Sequence, residues 1–158
     1  MSSLYPVPDV AKVRTLLGML FDGMEVKAGN KVDPAARGAQ VAVFISDEGE
    51  PVAACACDSG FAAAAGSALS MLPPLAAKDA ARTGELTEVM QGNLNEIMNI
   101  CSRLVMSDSS PHLRLEKVYP AAGVPAAAKA LLAAPTARAD FEVGLPKYGP
   151  GLVSVVSR

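Results

Sequence analysis

Two polar residues three positions apart, Glu96 and Asn99, form the pairing of groups in this sequence most suggestive of chemistry. They lie in a segment, Glu85–Met106, whose apolar residues recur at helical spacing. The predicted apolar stripe of this helix consists of Leu86, Met90, Leu94, Ile97, Cys101 and Leu104. Glu96 and Asn99 point away from that stripe, and residues three apart are neighbours on a helix surface. A carboxylate and a carboxamide so placed could bind and orient polar groups, although an ordinary solvated helix face is the alternative.

Three cysteines and one histidine are the other groups with reactive potential. Cys55 and Cys57 alternate within a predicted strand, so both point to one side and are interpreted as small core residues. His112 lies in a loop-like Ser-Ser-Pro-His context. A zinc site needs further ligands at suitable spacing, so we predict no metal site. The odd cysteine count, completed by Cys101, argues against a disulfide framework.

Composition limits the partners that the chain can attract. The formal net charge is −2, and the 14 lysines and arginines are scattered along the sequence. We therefore expect no nucleic-acid partner. The most membrane-like stretch, Gly60–Ala77, is interrupted by two serines and by Pro73-Pro74, so a buried helix is predicted there and no membrane span. The amino-terminal residues Met1-Ser-Ser-Leu-Tyr-Pro contain no export signal, so a cytoplasmic protein is expected.

Hydrophobic periodicity divides the chain into helices and strands. Helices are predicted at Asp9–Met24, Phe61–Leu72, Glu85–Met106 and Ala126–Ala134. Strands are predicted at Met24–Lys27, Gln40–Ser46, Pro51–Cys57, Leu113–Tyr119, Phe141–Leu145 and Leu152–Ser157. A short link is predicted between Pro74 and Glu85.

The order helix, strand, hairpin occurs twice in this series, first from Asp9 and again from Glu85. This order predicts an α+β fold with a pseudo-twofold α-β-β-β repeat, in which two long helices pack on one face of a mostly antiparallel sheet. Residues 1–158 are expected to form a single domain. Residue identity between the halves is negligible, so coincidence in an ordinary α+β domain is the alternative.

The segment Asn95-Glu-Ile-Met-Asn-Ile100 resembles the E-x-x-N signature of the CheC/CheX/FliY chemotaxis phosphatases. Pro120 is similar to a proline that follows the asparagine in that family, although it lies slightly closer than usual. The predicted order of elements also agrees, because the family domain is a pseudo-twofold α+β repeat. The resemblance covers most of the chain as architecture and only a short segment as motif.

The resemblance implies a partner and a role for each residue of the signature. The family hydrolyses the aspartyl phosphate of a CheY-like response regulator, which supplies its own Mg²⁺, so no cofactor is expected in this chain. Asn99 would orient the attacking water as both donor and acceptor. Glu96 would pair with the regulator's active-site lysine, and the neighbouring Asn95 is a candidate binding residue.

Two departures from the family pattern leave other functions open. The family prefers Asp or Ser one turn before the glutamate, where this chain has Gly92, and usually has Gly one turn after the asparagine, where it has Arg103. Arg103 could obstruct docking, hydrogen-bond Asn99 or contact the phosphate, so both positions are candidate binding residues. The alternative function is an inactive adaptor resembling the FliM middle domain. A homodimer is also consistent with the family, which includes dimers.

Overall fold

The computed structural model describes residues 4–158, within which the chain forms five α-helices and six β-strands. The helices are α1 (Val10–Gly18), α2 (Ser59–Ala68), α3 (Pro74–Thr83), α4 (Glu88–Cys101) and α5 (Ala126–Ala133), with short 3-10 helices at Ser102–Val105 and Ala121–Gly123. The strands are β1 (Glu25–Ala28), β2 (Gln40–Ser46), β3 (Pro51–Cys57), β4 (Leu113–Pro120), β5 (Ala137–Leu145) and β6 (Gly149–Ser157). Residues 1–3, part of the stretch in which no export signal is predicted, lie outside the described residues.

The strands form one antiparallel sheet in the order β1-β5-β6-β3-β2-β4. Exchanging the two halves of the chain, β1 with β4, β2 with β5 and β3 with β6, reverses this order and leaves it otherwise unchanged. The centre of the sheet is the β3–β6 ladder, where Cys55 lies opposite Val155. The predicted α+β class with an antiparallel sheet is confirmed, and the strand order has the predicted twofold pattern.

Each face of the sheet is buried by a different set of helices. Side chains such as Phe44 and Cys55 face a core built with α1, α2 and α4. The alternate side chains, such as Val43 and Ala54, face a second core built with Leu131 and Leu132 of α5. The two long helices predicted on one face of the sheet are α1 and α4. In the structure α2 packs on the same face, and α5 covers the opposite face. This burial on both faces explains why neither face of β2 is polar.

The predicted link after Pro73 contains a helix, α3, that sequence reasoning missed. Pro74 occupies the first turn of α3, where its missing N–H group costs nothing. Gly84 ends the helix in a left-handed conformation with φ of 76°. The buried residues of α3 are Ala77 and Ala80. Because alanine gives little contrast between an apolar and a polar face, the hydrophobic pattern of α3 is weak.

Helices α1 and α4 are shorter than predicted. Helix α1 ends at Gly18, and Phe21 and Met24 reach the core from the turns that follow it. Helix α4 ends at Cys101, and the chain continues as the 3-10 helix Ser102–Val105. The apolar residues beyond Gly18 and Cys101 keep helical spacing although the backbone there is no longer α-helical. This spacing made both predicted helices too long. No helix within residues 4–158 is long and apolar enough to cross a bilayer.

Helices α2 and α4 cross in close contact at Gly66. A Cβ atom on Gly66 would lie 2.7 Å from the carbonyl oxygen of Met90, which belongs to the backbone of α4. Most of α2 around this glycine is alanine, so its backbone also lies close to the sheet. The small side chains of α2 therefore set the distance at which α4 can pack.

We predict that Gly66→Ala lowers the free energy of unfolding by about 1–2 kcal/mol, because the clash with α4 outweighs the gain in helix propensity. Gly92→Ala is the matched control, since the added Cβ would meet no atom within 4 Å apart from its chain neighbours and the adjoining backbone of α4. That control should raise the free energy of unfolding by up to about 1 kcal/mol. Urea denaturation measures both, and a stabilising Gly66→Ala would contradict the close packing.

All three cysteines are buried as free thiols. A hydrogen bond with Cys101 and burial raise the pKa of Cys55, and burial with the nearby charge of Asp58 raises the pKa of Cys57. A raised thiol pKa means less thiolate, so these two groups should stay protonated at about pH 9.5, where an exposed cysteine is mostly thiolate.

We predict that a disulfide reagent at that pH labels the cysteines about 100-fold more slowly in the native protein than in denaturant. Rapid native labelling would contradict the burial.

Candidate functional site on helix α4

Helix α4 is held to the protein along one flank. The side chain of Thr87 begins it by accepting a hydrogen bond from the Met90 backbone N–H at 3.3 Å. Its buried residues are Met90, Leu94, Ile97, Met98 and Cys101. Leu104, in the following 3-10 helix, is also buried, whereas Leu86 precedes α4 and is half-buried. The apolar flank therefore fixes which side of α4 faces outward.

Glu96 and Asn99 are both exposed on the outer side of α4. At i,i+3 spacing their Cβ atoms are about 5–6 Å apart. Within residues 4–158, neither side chain is engaged in a hydrogen bond or an ion pair. The backbone carbonyl of Asn99 accepts a hydrogen bond from the Ser102 hydroxyl at 2.7 Å, and this bond does not involve the side-chain amide. A carboxylate and a carboxamide thus lie side by side, exposed on the outer side of α4.

A ladder of amides ties α4 to the start of β2. Gln40 and Gln91 exchange two side-chain hydrogen bonds of 2.9 and 2.8 Å, and Gln91 also donates to Asn95 at 3.0 Å. Gln40 is buried at the start of β2, directly before the apolar residues Val41 to Ile45. Such a polar residue beside an apolar run is the signal that could have identified this contact, which sequence reasoning missed. The ladder sets the rotation of α4 about its axis, and with it the direction of the exposed pair.

The side chain of Asn95 lines a groove of about 460 Å³ between α4 and the edge strand β4. Pro120 lies in the same groove, and it pairs across the sheet with Gln40. The structure therefore brings Asn95 and the proline of the resemblance together beside the face that carries Glu96. Gly92 is exposed on that face and leaves open space above α4.

On its other side α4 is attached to α2. The Asn93 amide donates to the backbone carbonyl of Gly66 and to the Ser70 hydroxyl, both at 2.8 Å. Asn93 and Gln91 therefore anchor α4 on either side, whereas Asn99 has no such contact within the described chain. The asparagines of α4 thus divide into anchoring and exposed residues.

Arg103 lies beyond the end of α4, exposed in the 3-10 helix. In residues 4–158 it has no side-chain hydrogen bond to Asn99, because the α-helical i,i+4 geometry has already ended at Cys101. The Lys12 ammonium of α1 donates to the carbonyls of Leu104 and Met106 at 3.3 and 3.1 Å. These two hydrogen bonds hold the segment that follows α4 against α1. The Arg103 guanidinium is exposed at the end of the outer face.

No group of three or more His, Cys, Asp or Glu side chains within residues 4–158 is arranged to hold a metal ion. His112 instead contacts Asp47 at 2.6 Å, and both side chains are exposed.

The order of the strands and the positions of the helices can be compared with those of known proteins. No protein-family model and no curated protein matches the sequence. The fold is similar to that of FliY from Thermotoga maritima.

The crystal structure of FliY aligns with 94% of this chain and 83% of its own chain, at a TM-score of 0.51 and 14% sequence identity. At that identity the likeness to FliY concerns the fold alone. The fold that the E-x-x-N resemblance implied is thereby confirmed. The roles of Glu96, Asn99, Asn95, Gly92 and Arg103 stay predictions.

We predict that Gln91→Ala lowers the free energy of unfolding by about 1–3 kcal/mol, because it leaves the buried Gln40 amide without its partner. Asn95→Ala removes only the exposed end of the same ladder and should change stability by less than about 0.5 kcal/mol. Urea denaturation of both variants tests the anchoring role. Equal effects would contradict it.

Proposed function

We propose that this chain binds a phosphorylated, CheY-like receiver domain through the outer face of α4 and hydrolyses its aspartyl phosphate. The observation that carries the proposal is the exposed, unoccupied pair Glu96 and Asn99 on a helix whose opposite flank is buried. The FliY-like fold supports it, since the E-x-x-N signature falls on the second repeat of that fold.

The reaction is the attack of a water oxygen on phosphorus, in line with the bond between phosphorus and the aspartyl oxygen. That bond breaks, the receiver's carboxylate is restored, and inorganic phosphate leaves. The receiver provides the acyl phosphate and Mg²⁺, so this chain need only place the water. The Asn99 amide can accept a hydrogen bond from the water through its oxygen and donate one through its nitrogen. Orientation of this kind requires no change in protonation of Asn99.

Glu96 has a different task in this proposal. Its carboxylate would pair with the lysine of the receiver's active site, which holds α4 at the correct position along the partner. Because the pair is formed only on docking, Glu96 contributes mainly to binding and Asn99 mainly to the chemical step. Gly92 leaves room for a close partner backbone, and the Arg103 guanidinium suits phosphoryl oxygens.

The second candidate function is an inactive adaptor that binds a receiver domain without hydrolysis. The observation that favours it is Arg103, an exposed cation at the end of the same face. Its guanidinium can bind a docked phosphate in competition with Asn99. An adaptor would bind the phosphorylated receiver and leave its lifetime unchanged.

We predict that the protein shortens the lifetime of a phosphorylated receiver, measured as loss of radiolabel from a CheY domain phosphorylated in the presence of Mg²⁺. Asn99→Ala should lower the rate constant at saturation by about 100-fold, the size of effect seen when one hydrogen-bonding group is removed from a reaction site. Glu96→Gln should instead raise the concentration needed for half-maximal acceleration, because it removes the charge that pairs with lysine.

Glu88→Gln is the matched control for Glu96→Gln, since it neutralises another exposed carboxylate at the start of the same helix. It should leave both kinetic parameters close to those of the unmodified protein. Binding without acceleration would favour the adaptor. An Asn99→Ala variant as fast as the unmodified protein would eliminate the catalytic assignment.

A further inference from the structure

Three open grooves adjoin one another between α4 and α5. The first is the groove of about 460 Å³ beside Asn95, and it shares Gln40 and Pro120 with a second groove of about 440 Å³. The second groove shares Ala35 and Ala121 with a third groove of about 390 Å³, which α5 borders. The first and the third share no lining residue. The combined surface, which we call the trough, is therefore elongated.

The charged groups that line the trough are mostly positive. Four of its lining residues are cationic and only Glu116 is anionic, in a chain whose formal net charge is −2. The four exposed cations are Lys31, Arg37, Lys117 and Lys129. Within residues 4–158, none of the four forms an ion pair. Cations without carboxylate partners attract a negatively charged ligand.

The remaining lining residues of the third groove are apolar, among them Pro34, Val124 and Leu132. No aromatic residue lines any of the three grooves, so bases of a nucleic acid would find no ring on which to stack. None of the large apolar side chains exposed within residues 4–158 lines the trough, so the surface has no apolar projection that would enter a bilayer. Positive charge beside an apolar concave surface favours an acidic polypeptide.

Contacts between separate segments hold the walls of the trough in place. The Ala121 backbone N–H donates to the carbonyl of Ala39 at 3.0 Å, which joins the residues after β4 to those before β2. The Arg37 guanidinium donates to the carbonyl of Arg82, in the last turn of α3, also at 3.0 Å. Walls fixed in this way reduce the conformational entropy that is lost when a ligand binds.

The side chain of Asn95 offers a hydrogen-bond donor in the first groove. Its Oδ1 atom accepts a hydrogen bond from the Gln91 amide at 3.0 Å. Its Nδ2 group has no acceptor in the part of the chain that the structure describes. This group can therefore donate to a backbone carbonyl of a bound polypeptide.

We propose that the trough binds an extended acidic segment of a partner protein, in which carboxylate side chains alternate with apolar ones. Successive side chains of an extended segment point to opposite sides. One set can therefore contact the apolar lining of the third groove, while the carboxylates meet the exposed ammonium groups of Lys31 and Lys129. This binding is separate from the proposed reaction, since neither Glu96 nor Asn99 lines the trough.

The test measures the fluorescence anisotropy of short labelled peptides mixed with the full chain, without a receiver domain. The probe peptide alternates glutamate and valine. One comparison peptide has lysine in place of each glutamate, and another has serine in place of each valine. The unmodified protein should bind the probe at least about tenfold more tightly than either, because one loses the charge attraction and the other the apolar contact. Added salt should weaken binding of the probe.

Charge reversal locates the binding in the third groove. Lys31→Glu and Lys129→Glu should each weaken binding of the probe about fivefold, since each replaces an attraction by a repulsion at an exposed position. Lys78→Glu is the matched control, because Lys78 is exposed on α3 and does not line the trough. The double variant K31E/K129E should bind the lysine peptide more tightly than the unmodified protein does.

A second pair of variants tests the apolar contact without a change of charge. Ala133→Gln fills part of the third groove and should weaken binding of the probe at least about threefold. Ala130→Gln makes the same change at an exposed position of α5 outside the groove and should leave binding unchanged. Circular dichroism checks the folding of each variant.

Equal affinity for the glutamate and lysine peptides would overturn the proposal, as would charge-reversal variants that bind the probe like the unmodified protein. Absence of binding to the probe at about millimolar concentration would also overturn it. Binding of a single-stranded oligonucleotide or of phosphatidylserine vesicles in place of the probe would assign the trough to nucleic acid or lipid instead. No receiver domain takes part in these measurements, so their outcome is independent of the proposed phosphatase reaction.

Discussion

The attachment of α4 by one flank is the constraint on which the rest of the account depends. Leu94 and Ile97 are buried in the core against the sheet, and Met90 is buried with Ala63 of α2 and Ala80 of α3. Gly66 allows α2 and α4 to approach, and the Gln40–Gln91 amide pair fixes the rotation of the helix. Because those contacts occupy one side of α4, the carboxylate of Glu96 and the amide of Asn99 face outward.

The twofold pattern of the fold concerns the order of the strands and does not extend to the surfaces of the two helices that begin the halves. Helices α1 and α4 begin the two halves of the chain, yet they differ in what they present. Helix α1 is short and sends Lys12 to the carbonyls that follow α4. It therefore supports the second half of the molecule, whereas α4 combines a buried flank with a bare polar one. The twofold order of the strands is thus combined with two first helices that make different contacts.

The sequence predicted what depends on strong local contrast. Strand β4 and the apolar stripe of α4 were recognised because their pattern differs between the two sides, whereas β2 and β3 were recognised as apolar runs joined by a turn. Helix α3 was missed since its buried residues are alanines, and the end of α4 was placed too late because Leu104 continues the spacing in a 3-10 helix. The Gln40–Gln91 pair and the contact of Lys12 with the carbonyl of Leu104 join segments far apart in the chain. No local pattern predicts which side chains such segments bring together.

The central claim is that a receiver domain docks on the outer face of α4 and meets the side chain of Asn99. It is tested most directly by nuclear magnetic resonance of the side-chain amide groups during titration with a receiver domain locked in its phosphorylated form by beryllofluoride. Docking on this face predicts that the signal of the Asn99 amide shifts strongly, together with the backbone of Glu96, while the amide of Asn93, which is hydrogen-bonded to α2, changes little. Binding that perturbs α5 and leaves the Asn99 amide unchanged would contradict it.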